Sequence, residues 1–141
     1  IKLKEKDGNK SVLSGVPDAL PSLITAYRIQ DKARNVGFDW EDAGDVWAKV
    51  REELAELEEE MKKGDREASQ AELGDFLFSV INAGRLYHLN PDTALEHTNQ
   101  KFISRFNYIE QHSIKMGKPL KDMSIQEMDK LWEEAKKLEN K

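Results

Sequence analysis

The chain contains no cysteine, which removes disulfide staples, thiolate metal sites and a cysteine nucleophile together. It also fits a reducing compartment, and the cytoplasm is the expected location. No stretch is long and apolar enough to span a membrane, and no signal peptide is visible. Positive charge is not in excess: 22 Lys and Arg face 27 Asp and Glu, for a net charge of -5. Binding to nucleic acid polymers needs a basic face that displaces counterions, so none is expected here. Phosphate loops of the G-x-x-x-x-G-K-[ST] and G-x-G-x-x-G types are missing, and a phosphate ligand would have to be met by metal and basic side chains. The three histidines, His88, His97 and His112, form no Glu-x-x-His pair, which counts against a di-iron carboxylate bundle. No alternating run marks a strand.

What remains is helix. With 141 residues, 38% hydrophobic and 35% charged, the chain suits one domain able to bury a core. Residues 1–15 are charged, hold Gly8 and Gly15 and lack periodicity; they read as a linker or mobile arm ahead of a single domain over 16–141. Pro17 and Pro21 bracket the start of a first helix, in which Leu20, Leu23, Ile24, Tyr27 and Ala33 recur up to Gly37. The loop Phe38-Asp39-Trp40 reads as an aromatic plug over the core, or alternatively offers Trp40 for stacking on a base. A second helix over 42–63 carries the apolar stripe Val46, Val50, Leu54, Leu57 and Met61. A third is expected over 66–89 and a fourth from Asn90-Pro91, burying Leu95, Phe102, Phe106 and Ile109. Gly117-Lys118-Pro119 breaks the pattern, and the capping box Ser124-x-x-Glu127 opens a last helix with Met128, Leu131, Trp132, Ala135 and Leu138. The fold class is all-α, a helical bundle whose long apolar faces are completed by pairing two subunits as a homodimer.

Two acidic clusters stand out, Glu52-Glu53-x-x-Glu56 on the second helix and Glu72-x-x-Asp75 on the third. An acidic run alone is ordinarily a solvated helix face. Glu72 and Asp75, however, interrupt an apolar run through Leu73, Phe76, Leu77, Phe78, Val80 and Ile81, and Ser79 and Asn82 continue the same polar line. Unpaired charge on a core helix is costly unless a cation compensates it. The tight turn at Gly64-Asp65 makes the two helices antiparallel neighbours, so Glu53 and Glu56 can meet Glu72 and Asp75 in an all-oxygen nest. Hard divalent cations prefer such a nest, and magnesium typically arrives with a phosphorylated ligand. Lys101 and Arg105 share a flank of the fourth helix; this is either an exposed basic edge, which the spacing alone favours, or a polyphosphate clamp. Trp132 and Lys136 share a face of the last.

These clusters resemble the signature of the MazG nucleoside triphosphate pyrophosphohydrolases, an all-α family related to dimeric dUTPases. Ala19-Leu20-Pro21-Ser22-Leu23, Val36-Gly37-Phe38-Asp39-Trp40, Glu72-Leu73-Gly74-Asp75-Phe76-Leu77-Phe78 and Asn99-x-Lys101-Phe102-x-x-Arg105-Phe106 all look like MazG, as does Trp132 four residues before Lys136. The Ile1-Lys2 start with Lys4-Glu5-Lys6 looks like the segment joining the halves of a tandem MazG, and implies a C-terminal domain of one. The resemblance implies hydrolysis of nucleoside triphosphates between the α- and β-phosphates, to monophosphate and pyrophosphate, with broad base specificity. It implies Glu53, Glu56, Glu72 and Asp75 as ligands of Mg2+, with Mn2+ as a substitute, and Glu52 as the residue that orients or deprotonates water. It implies Lys101 and Arg105 as phosphate contacts, Trp132 with Lys136 as a substrate-binding pair, and Asn99 as a further member of the motif. A triphosphate carries about four negative charges, and only divalent metal lets it share a site with four carboxylates. The alternative is a non-catalytic helical module that dimerises or binds a protein partner, its acids merely solvated.

Overall fold

The computed structural model describes residues 12–17, 19–39 and 43–140. Among them the only regular elements are five α-helices and a 3-10 turn: α1 (Ser22–Asn35), α2 (Ala43–Lys63), α3 (Arg66–Leu86), α4 (Pro91–Met116), the turn Leu120–Asp122 and α5 (Ile125–Glu139). The all-α class is as expected. None of these helices is long and apolar enough to cross a membrane. Trp40 and most of the arm expected over 1–15 lie outside the described residues. The chain divides into two compact units, Ile1–Asp92 and Thr93–Lys141.

In the first unit α2 and α3 pack as an antiparallel hairpin, and α1 lies against α3. The hairpin turn follows from local chemistry. Gly64 takes a left-handed conformation, φ 75°, that side chains resist. The Asp65 carboxylate then accepts the Ala68 N–H at 3.0 Å, capping α3. The core joins Val46 and Val50 of α2 to Ala83 of α3, with Phe76 and Leu86 packed on them. Gln30 of α1, buried, donates to the Phe78 carbonyl at 2.9 Å and ties α1 to the hairpin.

Two expectations are corrected here. α3 ends at Leu86, not residue 89, because the Tyr87 and His88 N–H groups turn back to Gly84 and Arg85 and His88 adopts φ 62°. The apolar stripe is also only half covered. Val46, Val50 and Leu57 are buried, but Leu54 and Met61 of α2 and Leu73, Leu77 and Val80 of α3 remain exposed. One 14-residue helix cannot enclose a hairpin of two 21-residue helices.

The second unit buries Ile109, Ser113, Met123 and Ala135. The left-handed Gly117, φ 66°, closes α4, where the Ser113 hydroxyl donates to the Lys118 carbonyl. The capping box forms as expected: Ser124 Oγ accepts the Glu127 N–H, and the Glu127 carboxylate accepts the Ser124 N–H, each at 3.0 Å. Of the four apolar residues expected in the core of α4, only Ile109 is buried; Leu95, Phe102 and Phe106 are exposed. The 15-residue α5 meets α4 through long side chains, such as Trp132 against Phe102 with ring centroids 5.2 Å apart, and forms no enclosing layer.

Candidate active site

The α2–α3 hairpin brings Glu53 and Glu56 to Glu72, with one carboxylate oxygen from each lying within 4.8 Å of the other two. Heptad-like spacing explains the meeting: Glu53 sits four residues before Leu57 and three after the buried Val50, so it shares their inward arc. Glu53 is 6% exposed, Glu72 is half-buried and Glu56 is exposed. Glu53 Oε2 and Glu72 Oε2 are both buried without a hydrogen-bond partner. Leaving a buried carboxylate oxygen unpaired costs free energy. Like charges at this range also oppose one another, and the Glu56 carboxyl is pushed above its usual range, first by Glu53, then by burial and by Glu72. Three carboxylates this close together, two of them with a buried oxygen left unpaired, form the donor set that a hard divalent cation completes. The residues fit such an ion.

Lys49 offsets part of this charge. It pairs with Glu53 Oε1 at 2.8 Å and approaches Glu52 at 3.6 Å. Its ammonium is held above its usual range chiefly by the hydrogen bond to Glu53. Lys49 was missed in the sequence, although its position four residues before Glu53 is a readable helix pair. Glu52 is exposed. Asp75 stands outside the close triad but lines a cavity with Glu53, Ser79 and Asn82.

Beside that cavity runs a partly buried polar relay that the sequence did not disclose. Arg85, 5% exposed, donates from Nη2 to Asp39 Oδ1 at 2.7 Å and to Asn82 Oδ1 at 2.8 Å. Asp39 and Arg85 are 46 residues apart in sequence, beyond any local pattern.

In the second unit four of the expected substrate residues, Lys101, Arg105, Trp132 and Lys136, are linked to one carboxylate, that of Glu139, directly or through Arg105. Arg105 Nε reaches both oxygens of Glu139 at 3.1 Å, and Nη2 reaches Oε1 at 2.9 Å. The guanidinium lies over the Trp132 ring, 5.3 Å from its centroid. Glu139 is held below the usual carboxylate range, first by Arg105 and further by Lys101 and Lys136. Asn99 and Lys101 are exposed, and Lys136 lies 3.9 Å from Glu133. Glu139 carried no signal in the sequence.

Residues 34–109, more than half of the chain, match the MazG nucleotide pyrophosphohydrolase domain. The chain is 41% identical over 137 residues to the nucleoside triphosphate pyrophosphohydrolase/pyrophosphatase MazG of Thermotoga maritima, covering 96% of this chain and 52% of that protein. It is 33% identical over 143 residues to the nucleoside triphosphate pyrophosphohydrolase of Escherichia coli K12, covering 99% and 54%. It is 46% identical over 143 residues to the uncharacterized protein YabN of Bacillus subtilis, covering 100% and 29%. The chain thus spans about half the length of the first two of these curated relatives, or less in the third. The domain match falls on the hairpin that carries the acidic triad, and the chain belongs to the MazG nucleotide pyrophosphohydrolase family.

Proposed function

We propose that this chain, through residues 16–141, hydrolyses nucleoside triphosphates between the α- and β-phosphates in a magnesium-dependent reaction of broad base specificity. The observation that carries this reading is the convergence of Glu53, Glu56 and Glu72, two of which, Glu53 and Glu72, keep a buried oxygen without a partner. Glu53, Glu56, Glu72 and Asp75 hold Mg2+, for which Mn2+ substitutes. When bound, the ion supplies the positive charge that lets carboxylates and polyphosphate share one site and polarises the phosphoanhydride.

Glu52 orients the attacking water and takes its proton; the phosphorus–oxygen bond to the leaving pyrophosphate breaks as the new bond to water oxygen forms. Lys49 holds Glu53 at its Oε1, while Oε2 stays buried without a hydrogen-bond partner. Lys101 and Arg105 take up charge on the phosphate oxygens, with Trp132, Lys136 and Asn99 as further substrate contacts. The exposed Leu54, Met61, Leu73, Leu77 and Val80 support a homodimer that covers the hairpin's outer face. The net charge of -5 supports small nucleotides over nucleic acid polymers as substrates, and we place the enzyme in the cytoplasm, where the cysteine-free sequence fits a reducing compartment.

The test is to incubate the purified chain with each common nucleoside triphosphate, with magnesium or with chelator, and to separate the products by ion exchange. Monophosphate and pyrophosphate, formed only with magnesium, are expected. Diphosphate and phosphate would displace the cleavage site, and no turnover would favour the helical binding module.

A further inference from the structure

We propose that the cavity beside the acidic triad is the nucleobase subsite and that Asn82 ranks the bases that enter it. This rests on the hydrolase reading and names how that site selects among its substrates. The cavity, about 350 Å³, has the size of a small-ligand site. It has apolar walls from Val46 and Phe78, a polar side from Ser79 and Asn82, and a charged edge at Lys49, Glu53 and Asp75, which places it directly against the carboxylates; Lys49 is held there by Glu53 at 2.8 Å. Phe78 is 43% exposed and can meet a planar base face. Ser79 and Asn82 are buried at 6% and 5% exposure, so what they present is fixed by their partners.

Those partners decide the chemistry. A guanidinium has only donors, so the Asn82 atom facing Arg85 must be the amide oxygen. The amide nitrogen is then what Asn82 offers a ligand. Asp39 holds the same Nη2 at 2.7 Å, so the chain Asp39, Arg85, Asn82 locks the amide against a flip. Ser79 donates its hydroxyl proton to the Phe76 carbonyl at 2.7 Å, which leaves its oxygen to accept. One oriented donor beside one oriented acceptor reads the edge of a base. Such a pair ranks bases without excluding any, in keeping with broad specificity.

Asn82→Asp is the informative variant. It keeps an oxygen for Arg85, replaces the ligand-facing donor by an acceptor, and adds a negative charge that the Arg85 guanidinium, 2.8 Å away, neutralises. We would measure kcat/KM for the four common nucleoside triphosphates, binding of their α,β-imido analogues by calorimetry, and the inhibition constant of inorganic tripolyphosphate, which has no base. The ratio between the best and worst base is expected to change by roughly tenfold or more, with tripolyphosphate inhibition shifting less than about twofold. Ser79→Ala, which removes a hydroxyl already satisfied within its own helix, is expected to move the same ratio by a smaller factor and decides the matter should Asn82→Asp not fold. Equal losses on every triphosphate and on tripolyphosphate would reduce Asn82 to an anchor for Arg85 and overturn the proposal. An unmoved ranking in both variants, with wild-type cleavage intact, overturns the subsite alone. A wild-type chain that binds no analogue overturns the hydrolase reading with it.

Discussion

The two units treat charge in opposite ways. In the first, three carboxylates converge and two of their oxygens stay buried without a partner, so the fold holds a deficit of positive charge that Lys49 only partly fills. In the second, Arg105 converges with Lys101 and Lys136 on Glu139, and the guanidinium spends three hydrogen bonds on that one carboxylate. One site is strained until something arrives; the other is satisfied until something is displaced. The contrast teaches that an uncompensated cluster points to its ligand more sharply than a basic patch does. A missing cation is written in orphaned atoms, whereas a missing anion can be masked by a side chain that imitates it.

The largest break in this contrast comes from removing one acid. Glu72→Gln is expected to lower magnesium-dependent turnover by on the order of 10²–10³-fold while circular dichroism reports unchanged helicity. Near-normal turnover would mean that the buried oxygen has no part in the chemistry. Glu56→Gln reads the deficit more directly. Its carboxyl is pushed up in the folded state, so at neutral pH the ionised form opposes folding. In chelator the variant should therefore melt at a higher temperature than wild type, with the gain shrinking as acid protonates Glu56. With magnesium the order should reverse, because wild type gains a few degrees by linkage and the variant does not. Thermal scans with and without metal check both halves.

What the sequence disclosed of this contrast depends on range. The turn at Gly64-Asp65 and the box at Ser124 and Glu127 were legible because their chemistry is complete within four residues. The meeting of Glu53 and Glu56 with Glu72 was legible for a related reason: a short turn fixes which helix faces adjoin. Periodicity also showed which residues share a face, but not whether anything covers it, and so Leu95, Phe102 and Phe106 were assigned to a core that leaves them exposed. The end of α3 was missed because His88 adopts a left-handed conformation without the Gly or Asn that usually announces one. Pairs such as Asp39 with Arg85, and Arg105 with Glu139 across 34 residues, leave no local trace. The resemblance therefore named Arg105 without revealing its partner.

That partner offers a gentler way to sharpen the comparison. If Glu139 stands where a phosphate oxygen would, Glu139→Gln frees the Arg105 fork, and inorganic pyrophosphate should bind roughly threefold tighter. The gain should fade with salt, because Glu139 and Arg105 are partly exposed, at 30% and 17% of their side chains. Unchanged affinity would show that the pair is structural, and the second unit would then hold a satisfied ion pair with no ligand to displace.

The smallest effect belongs to the box that starts α5. Glu127 is held below the usual carboxylate range, first by the Ser124 N–H and then by Lys118, whose ammonium lies 2.9 Å away. A depressed carboxyl contributes stability above the unfolded value, and that contribution is lost as pH falls through the folded value. The direction is opposite to that at Glu56, where acid relieves the folded state. Glu127→Gln keeps the geometry of the box but carries no charge for Lys118, so it should be slightly less stable than wild type near neutral pH. The two should converge as pH drops below the ordinary glutamate value of about 4.3. Both side chains of the pair are more than a third exposed, so solvent screening keeps the difference small. Denaturant midpoints of wild type and variant, taken as a difference at each pH, cancel every other titrating group. A gap that persists unchanged into acid would locate the contribution in the hydrogen bonds of the box, which Gln retains only in part, and not in its charge.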